Sequence, residues 1–283
     1  MNELFLSPLL YEDAVRAALL EDVGPGDVTT ESCIPAGTRA RAALLAKSKG
    51  VLAGIDVAAC AFRILDPDVE WEPLLRDGDV VDGTRNIIAY VFGDARALLT
   101  AERTALNFLQ QLSGVATATH RAVQLVAGTN ARIADTRKTT PGLRALQKYA
   151  VRAGGGHNYR LGLYDAVMIK DNHIRAAGGI SPAVAAVKAR IPHTMTIEVE
   201  TKNLIEVDEA VAAGADIIML DNMSLDMMRK AVAQIAGRAL TEASGGLTED
   251  RLAHVAATGV DVLSIGALTH SAPAMDISLD FEL

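Results

Sequence analysis

Residues 135–173 read DTRKTTPGLRALQKYAVRAGGGHNYRLGLYDAVMIKDNH, and the interpretation of the whole chain starts from this stretch. It contains seven lysines and arginines against three aspartates, a local charge of +4 in a chain whose net charge is -8. A cluster of positive charge in an acidic protein attracts anionic ligands, especially when a cleft focuses its field. The stretch therefore predicts an anion-binding site. Arg144, Lys148 and Arg152 fall at helical spacing and are interpreted instead as a solvated helix face.

The composition limits the classes of protein that the chain can belong to. Its 283 residues, half of them hydrophobic, suffice for one large domain or one large and one small domain. No apolar run approaches the roughly 20 residues of a membrane span, and the N-terminal MNELFLSPLLYED lacks the basic start of a signal peptide. Cys33 and Cys60 form no C-x-x-C motif, so a cytoplasmic location is expected. The acidic balance argues against nucleic-acid binding.

The first part of the chain predicts a small α+β domain over residues 1–113. Residues 9–22 have helical periodicity, 22–30 form a turn-rich loop, and 38–48 alternate as a strand. Short β-like runs between residues 71 and 99 alternate with Asp-Gly turns. A lipoyl-type carrier module is excluded, because residues 77–101 contain no lysine to bear the cofactor. The alternating tail, 272–283, predicts an edge strand that returns to this domain.

A long helix is predicted to begin at Thr100. Thr100 is a suitable N-cap, and Glu102 in the first turn is favourable to the helix dipole. Arg103 is unfavourable there, which suggests that its charge serves an anionic ligand; a solvated surface arginine is the structural alternative.

From residue 131 the chain repeats a unit of apolar run, polar end and helix, which predicts an α/β domain over residues 114–271. The predicted strands are 131–134, 166–169, 195–199, 217–220, 239–241 and 262–265, and the predicted helices are 141–153, 181–190, 203–213, 224–236 and 248–258. Ser181, Asn203, Ser224 and Thr248 are candidate N-caps. The alternation indicates a parallel sheet with helices outside. A (β/α) barrel is favoured over an open sheet, because no G-x-G-x-x-G motif opens the first unit.

In a (β/α) barrel the functional residues lie at the carboxyl ends of the strands. Here those ends carry two opposite sets of charge. The cationic set is Arg137, Lys138, Arg160 and Lys170, and the anionic set is Glu200 and Asp221. Arginines bind carboxylates or phosphates, and carboxylates hold sugar hydroxyls or a hydrated Mg²⁺. A salt bridge to a neighbouring lysine is the structural alternative for the carboxylates.

The last two units end in small residues that suit a phosphate. Ser244, Gly245 and Gly246 follow one run, and Ile265, Gly266 and Ala267 follow the next. Barrels often bind a monophosphate here, on backbone N–H groups. A phosphorylated ribose with a leaving pyrophosphate, beside a small polyanionic acid, would fit the combined site. His157 and His173 are interpreted as loop histidines rather than as acid/base groups.

A series of short motifs, spread over nearly the whole chain, resembles the quinolinate phosphoribosyltransferase family. The resemblance lies in Thr100–Asn107, Asp135–Arg144, Lys148–Ala150, Gly154–Gly156, Arg160–Leu163, Ile169–His173, Ile197–Glu200, Leu220–Asn222, Ser244–Gly246 and Ile265–His270. It implies an incomplete α/β barrel with a mixed N-terminal domain. It also implies Mg²⁺-dependent transfer of phosphoribosyl to quinolinate with loss of CO₂, in NAD synthesis. The expected assembly is a dimer or a multiple of it, in which Arg103 reaches the partner's site.

The resemblance also implies roles for single residues. Arg103, Arg137, Lys138, Thr139, Arg160 and Lys170 would bind quinolinate and pyrophosphate, Glu200 and Asp221 the ribose and the hydrated metal, and Ser244–Gly246 and Ile265–Ala267 the 5′-phosphate. Of these, Lys138, Lys170, Glu200 and Asp221 are the expected catalytic residues. The chain departs from the family at Tyr159: the family usually has Asn-His-Arg, and here the sequence is Asn158-Tyr159-Arg160. A tyrosine can donate a hydrogen bond but cannot be a cation.

Three alternatives remain open at this point. Lys170 at a strand end could form a Schiff base in an aldolase-type lyase. A related transferase could act on another small acid. A catalytically silent anion-binding homologue is the third, although Glu200 and Asp221 are both retained.

Overall fold

The structure is a computed structural model, and it describes residues 4–282. The sequence-based statements about Met1–Glu3 and Leu283 therefore lie outside the described residues. After a short 3₁₀ helix at Pro8–Leu10, the helices are α1 (Glu12–Val23), α2 (Val28–Cys33), α3 (Ile55–Leu65), α4 (Ala95–Leu125), α5 (Arg144–Ala153), α6 (Asp171–Ala177), α7 (Ile180–Lys188), α8 (Leu204–Ala213), α9 (Leu225–Ile235), α10 (Glu249–Ala256) and α11 (Ala267–His270). Over the described range, no helix is long and apolar enough to cross a membrane.

The strands divide between an antiparallel and a parallel sheet, with a small two-stranded ladder besides. They are β1 (Arg39–Ala46), β2 (Lys49–Val51), β3 (Glu70–Pro73), β4 (Val80–Asp82), β5 (Asn86–Asp94), β6 (Arg132–Ala134), β7 (Val167–Ile169), β8 (Ile197–Thr201), β9 (Ile217–Asp221), β10 (Leu240–Ser244), β11 (Val262–Ser264) and β12 (Ile277–Glu282). The six parallel strands lie at the positions that the repeated apolar runs predict.

The first of two compact units contains described residues 4–120, 139–155 and 267–282. Its antiparallel sheet has the order β12-β1-β5-β3. β12 pairs with β1 at the edge, from Arg41 opposite Glu282 to Ala46 opposite Ile277, so the predicted edge strand is confirmed. Ala40, Ala42, Leu44 and Ala46 of β1 belong to a core that includes Phe62 of α3 and Leu109 of α4, and Ala43 and Leu45 on the other face are buried as well.

Besides residues 114–120, two further segments that the sequence assigns to the second domain pack within this first unit. They are residues 139–155, which contain α5, and residues 267–271, which contain α11. Gln147 donates from Nε2 to the carbonyl of Thr269 at 2.8 Å. Tyr149 donates its hydroxyl proton to Asp77 Oδ2 at 2.7 Å. These contacts link residues far apart in sequence, so local patterns do not predict them.

The long helix α4 begins at Ala95, and the prediction that Thr100 is its N-cap is wrong. The side chain of Asp94, at the end of β5, accepts a hydrogen bond from the amide of Ala97 at 3.0 Å, as an N-cap aspartate does. Thr100 lies inside the helix and donates to Asp27 at 3.0 Å. Arg103 lies two turns in, so the dipole-based interpretation of its charge is also wrong, because the dipole acts on the terminal turns.

Lys148 contradicts the prediction of a solvated face on α5. Arg152 is exposed and Arg144 half-buried, but Lys148 is only 1% exposed. The helix is covered on most of its circumference, since every residue from Leu146 to Val151 is buried. The three basic residues of α5 therefore differ in exposure to solvent, although their spacing along the helix is regular.

The second unit, residues 121–138 and 156–266, is an incomplete (β/α) barrel. All of its strand pairs are parallel, in the order β6-β11-β10-β9-β8-β7. The first strand, β6, therefore pairs with the last, β11, which wraps the sheet round. Among the described strands no ladder joins β6 to β7. The predicted barrel is confirmed, and it is open between these two edges.

Local signals set the ends of the surrounding helices. Asn203 and Ser224 each accept a hydrogen bond from the amide three residues later, at 3.0 and 3.3 Å, and cap α8 and α9 as predicted. Thr248 occupies the N-cap position of α10 without a side-chain bond. The prediction for Ser181 is wrong, because α7 begins one residue earlier, after Gly179. The predicted loop 22–30 ends at Asp27, because Asp27 caps α2, which begins at Val28.

Candidate active site

A cavity of about 520 Å³ lies at the carboxyl ends of the second unit's parallel strands. Most of its walls are residues at strand ends and in the turns that follow. They are Thr136, Arg137, Lys138, Tyr159, Arg160, Met168, Lys170, Glu200, Met219, Asp221, Asn222, Glu242, Ser244, Gly245, Gly246 and Ser264. The cationic and the anionic sets of the sequence analysis thus share one cavity.

The cationic side of the cavity comes from both free edges of the barrel. Arg137 and Lys138 follow β6, and Lys170 follows β7 at the N-cap position of α6. Arg160 belongs to the segment between these edges and donates from Nη1 to the carbonyl of Ala166 at 3.1 Å. Four positive side chains on one wall favour a ligand with several negative charges.

The anionic side is formed by Glu200 on β8 and Asp221 on the adjacent strand β9, and both are half-buried. Burial raises the pKa of Glu200, the charge of Asp221 raises it further, and Lys170 opposes the shift. The two carboxylates therefore attract a positive charge between them. The described residues offer no group of three or more metal-binding side chains.

Two glycines that follow β10 pack closely against Asn222, next to this pair. Gly245 and Gly246 have φ angles of 93° and 58°, in the left-handed region that favours glycine. A Cβ atom on Gly245 would lie 2.3 Å from Asn222 Oδ1. Asn222 itself has a φ of 53° and was not singled out by the sequence analysis. Its side chain and the glycine backbone are packed too closely for any larger residue.

Five of the predicted site residues do not line the cavity. Arg103, Thr139 and Ala267 belong to the first unit. Ile265 and Gly266 lie in the second unit but outside the lining. The amide of Ile265 donates to the carbonyl of Ala134 at 2.9 Å, so it continues the β6–β11 pairing and is not available to a phosphate.

A layer of buried polar residues lies one side-chain repeat below the strand ends, and the sequence analysis missed it. Glu198 precedes Glu200 by two residues on β8, and Glu242 precedes Ser244 by two on β10. Side chains two apart on a strand face the same side, which was an available signal. Glu198 and Glu242 are each 3% exposed.

Burial changes the acidity of this layer. Burial raises the pKa of Glu198 to about 7, against the opposing effects of the Tyr159 hydrogen bond and of Arg160 and Lys170. Burial raises the pKa of Glu242 to about 8, and the charge of Glu198 adds to the shift. Below neutral pH the layer thus holds protons, which limits the negative charge beneath the cationic wall.

Tyr159 connects this layer to the cavity wall. Its hydroxyl donates to Glu198 Oε2 at 2.6 Å and lies 2.8 Å from the sulfur of Met168. Burial raises the pKa of the phenol, and the charge of Glu198 raises it further. Tyr159 is therefore a neutral donor, in agreement with its predicted inability to act as a cation.

Neither histidine singled out in the sequence lines this cavity. His173 interacts through Nδ1 with the backbone amide of Lys170 at 2.9 Å and so supports the start of α6. His157 borders a second cavity of about 290 Å³ at the opposite ends of the strands, where burial lowers its pKa. Tyr159, Arg160 and Glu242 line both cavities, and Glu198 lines the second.

Models of two domain families match the chain. Residues 27–113 match the quinolinate phosphoribosyl transferase N-terminal domain, and residues 115–280 match the C-terminal domain of the same family. A nicotinate-nucleotide pyrophosphorylase [carboxylating] of Mycobacterium leprae is 45% identical over 276 residues, which cover 95% of this chain and 96% of the relative. A chloroplastic protein of the same name from Arabidopsis thaliana is 43% identical, over 95% of this chain and 82% of its own length.

Solved structures have the same fold over nearly the whole chain. NadC from Streptococcus pyogenes superposes with a TM-score of 0.94 at 42% identity and covers 99% of both chains. The nicotinate-nucleotide pyrophosphorylase from Francisella tularensis gives a TM-score of 0.94 at 39% identity and covers all of both chains.

Glu242 leads to a prediction about stability and pH. Its folded pKa of about 8 lies above the ordinary value of 4.5, so the folded state binds the proton more tightly than the unfolded state. Its contribution to stability is therefore complete below about pH 4.5 and is lost as the pH rises through about 8. We expect Glu242→Gln to reduce the loss of unfolding free energy between about pH 5 and about pH 9, measured by urea unfolding. The exposed Glu249→Gln is the control, and equal pH dependence in both variants would contradict the prediction.

Proposed function

Because this chain belongs to the quinolinate phosphoribosyltransferase family, we propose that it joins quinolinate to the phosphoribosyl group of 5-phosphoribosyl-1-pyrophosphate. The products are nicotinate mononucleotide, pyrophosphate and CO₂, in the synthesis of NAD. The observation that carries the proposal is the single cavity in which four cationic side chains face two carboxylates. Both substrates are polyanions, and one of them develops positive charge as it reacts, so both sets of side chains are needed.

The cationic wall suits the carboxylates of quinolinate and the departing pyrophosphate. Arg137, Lys138, Arg160 and Lys170 converge there from two edges of the barrel. Arginine binds a carboxylate through two parallel hydrogen bonds, whereas lysine acts as a point charge. Residues fixed before the substrate arrives lose little free energy in reorganising, which is the main source of electrostatic catalysis.

Glu200 and Asp221 suit the ribose hydroxyls and a hydrated Mg²⁺. Their mutual repulsion, which raises the pKa of Glu200, is relieved when a cation lies between them. When bound, the metal neutralises charge on the pyrophosphate and so makes it a better leaving group. Ser244, Gly245 and Gly246, on the next strand end, suit the 5′-phosphate, whose negative charge backbone N–H groups can bind.

The reaction then needs positioning and fixed charge more than covalent catalysis. The bond from ribose C1 to pyrophosphate breaks, and the electron pair leaves with the pyrophosphate towards the cationic wall. C1 becomes oxocarbenium-like, which Glu200 and Asp221 favour by their charge. The pyridine nitrogen attacks C1. The ring, now a pyridinium, accepts the electron pair of the neighbouring C–CO₂ bond, CO₂ departs, and a proton from water restores the ring C–H bond.

The assembly and the location of the protein are also proposals. We infer a homodimer, or a multiple of one, in which Arg103 completes the site of the partner subunit. The support is the family resemblance together with the place of Arg103 in the first unit, outside the cavity lining of its own second unit. A cytoplasmic location remains a prediction from the two unpaired cysteines.

The direct test is to follow CO₂ release from quinolinate. We expect the protein to release CO₂ and pyrophosphate in equal amounts when quinolinate, the pyrophosphoryl sugar and Mg²⁺ are present together. Removal of Mg²⁺ with a chelator should abolish release, and nicotinate in place of quinolinate should give no CO₂. Trapping of a substrate carbonyl on Lys170 by borohydride, without pyrophosphate release, would instead favour a Schiff-base lyase.

The cationic wall leads to a prediction about turnover. Lys138→Ala and Arg160→Ala should each reduce quinolinate turnover by about 10²–10³, by analogy with the loss of one preorganised donor. Their melting temperatures should stay near that of the parent protein, because both side chains line the cavity. Lys230→Ala and Arg229→Ala on the exposed face of α9 are the matched controls. Parent-like rates in Lys138→Ala or Arg160→Ala would count against the assignment.

A shared site leads to a prediction about mixed dimers. Arg103→Ala and Lys138→Ala should each be inactive alone. After the two proteins are mixed, dissociated and reassembled, about a quarter of the parent activity should return, because half of the dimers are mixed and each has one intact site. No recovery in proteins shown to have exchanged subunits would mean that Arg103 serves its own chain.

A further inference from the structure

The gap in the barrel is crossed by the segment that follows residue 156. His157 pairs with the free edge of β6: its amide donates to the carbonyl of Ile133 at 2.8 Å, and its carbonyl accepts from Asp135 at 3.1 Å. Within the described residues β6 and β7 do not pair with each other. The residues after His157 therefore connect the two edges by side chains rather than by a β-ladder.

One end of this connection is fixed to the β6 side. Asp135, which is fully buried, accepts hydrogen bonds from the backbone amide of Tyr159 at 2.9 Å and from the side-chain amide of Asn158 at 2.7 Å. A buried carboxylate that accepts several N–H bonds holds their backbone firmly, because each lost bond would leave a charge unsolvated. The backbone at Tyr159 is thus fixed with respect to β6.

The other end is fixed to the β7–β8 side by the Tyr159 hydroxyl. It donates to Glu198 Oε2 on β8 at 2.6 Å and touches the sulfur of Met168 on β7. A phenol has one proton to donate, and here the hydroxyl donates it in the hydrogen bond to Glu198 Oε2. Tyr159 therefore lines the cavity without offering its proton to a ligand.

Arg160 lies directly after this fixed residue. Its Nη1 donates to the carbonyl of Ala166, and its guanidinium carbon lies 5.9 Å from the centre of the Tyr159 ring. Asp165 holds the turn that follows by accepting from the amides of Leu161 and Gly162. Arg160 Nε is buried and has no hydrogen-bond partner in the described structure. The Arg160 side chain, which lines both cavities, is thus held at one terminal nitrogen and keeps an unpartnered Nε donor.

We propose that the hydrogen bond from Tyr159 to Glu198 is a strut across the open side of the barrel that positions Arg160 for a carboxylate of the acid substrate. Tyr159 and Glu198 are positioning residues in this proposal, and Arg160 is the residue that touches the ligand. The inference rests on the proposed function, because it takes quinolinate as the acid. The segment lies between β6 and β7, whereas Ser244–Gly246 lie at the end of β10, two strand positions from β6 and three from β7, so the strut should affect the acid and not the sugar phosphate.

The test compares steady-state constants of designed variants for each substrate. Tyr159→Phe removes the donor and keeps the ring, and we expect the KM for quinolinate to rise about tenfold, as for the loss of one hydrogen bond. The kcat should stay within about threefold and the KM for the pyrophosphoryl sugar within about twofold. Glu198→Gln keeps an acceptor of the same size but without charge, so an intermediate rise of about two- to threefold is expected.

Coupling between the two residues gives a second measurement. The double variant Tyr159→Phe/Glu198→Gln should have the same KM for quinolinate as Tyr159→Phe, since the bond is already lost. Tyr149→Phe is the matched control, because it removes a similar buried phenol-to-carboxylate bond, to Asp77 at 2.7 Å, in the first unit. It should lower the melting temperature and leave the KM for quinolinate unchanged.

These measurements separate a failure of the strut from a failure of the proposed function. An active parent protein with an unchanged KM in Tyr159→Phe would overturn the inference and leave the proposed function intact. A parent protein that releases no CO₂ would overturn both. A fall in kcat at constant KM, or equal effects of Tyr159→Phe and Tyr149→Phe, would also contradict the strut. If Tyr159→Phe does not fold, Glu198→Gln must raise the KM for quinolinate alone, and no rise would reject the proposal.

Discussion

Parallel strands bring the side chains at their carboxyl ends to one edge, and the whole site depends on this constraint. Lys170, Glu200, Asp221 and Ser244 are separated by 20 to 30 residues in the sequence, yet each follows or ends a strand of the same sheet. The ladder fixes the distance between neighbouring strands, so these groups meet without contacts of their own. The backbone hydrogen bonds of the sheet thus position the charged groups at the cavity, so the charged side chains need no contacts with one another to do so.

The two-residue repeat of a strand gives the interior a second layer with different chemistry. Glu198 lies below Glu200, and Glu242 lies below Ser244. The upper residues are half-buried and line the cavity, whereas the lower ones are 3% exposed and have raised pKa values. A fully ionised lower layer would weaken the attraction of the cationic wall for polyanions. Burial counters this, because it favours the neutral form of a carboxyl group.

The opening between β6 and β7 is the other determinant of the site. A closed barrel would place a strand there, with backbone groups paired along its length. Here a segment with side-chain anchors takes that place, and it supplies Tyr159 and Arg160 to the wall. Hydrogen bonds to Asp135 on one side and Glu198 on the other do what a ladder would do. The opening therefore adds a cation to the wall that the strand ends alone do not provide.

The sequence by itself determined what short-range patterns control. The six parallel strands, the caps at Asn203 and Ser224 and the strand-end positions of Lys170, Glu200 and Asp221 all follow from apolar periodicity and polar ends. The prediction failed where two short-range signals competed, since Thr100 looks as good a cap as Asp94 until β5 is seen to run directly into α4. The tertiary structure alone decided the pairing of β6 with β11, the burial of Lys148, and the contact of Tyr159 with Glu198. Each of these joins residues or surfaces that are distant along the chain, and their free energy comes from packing that no local pattern encodes.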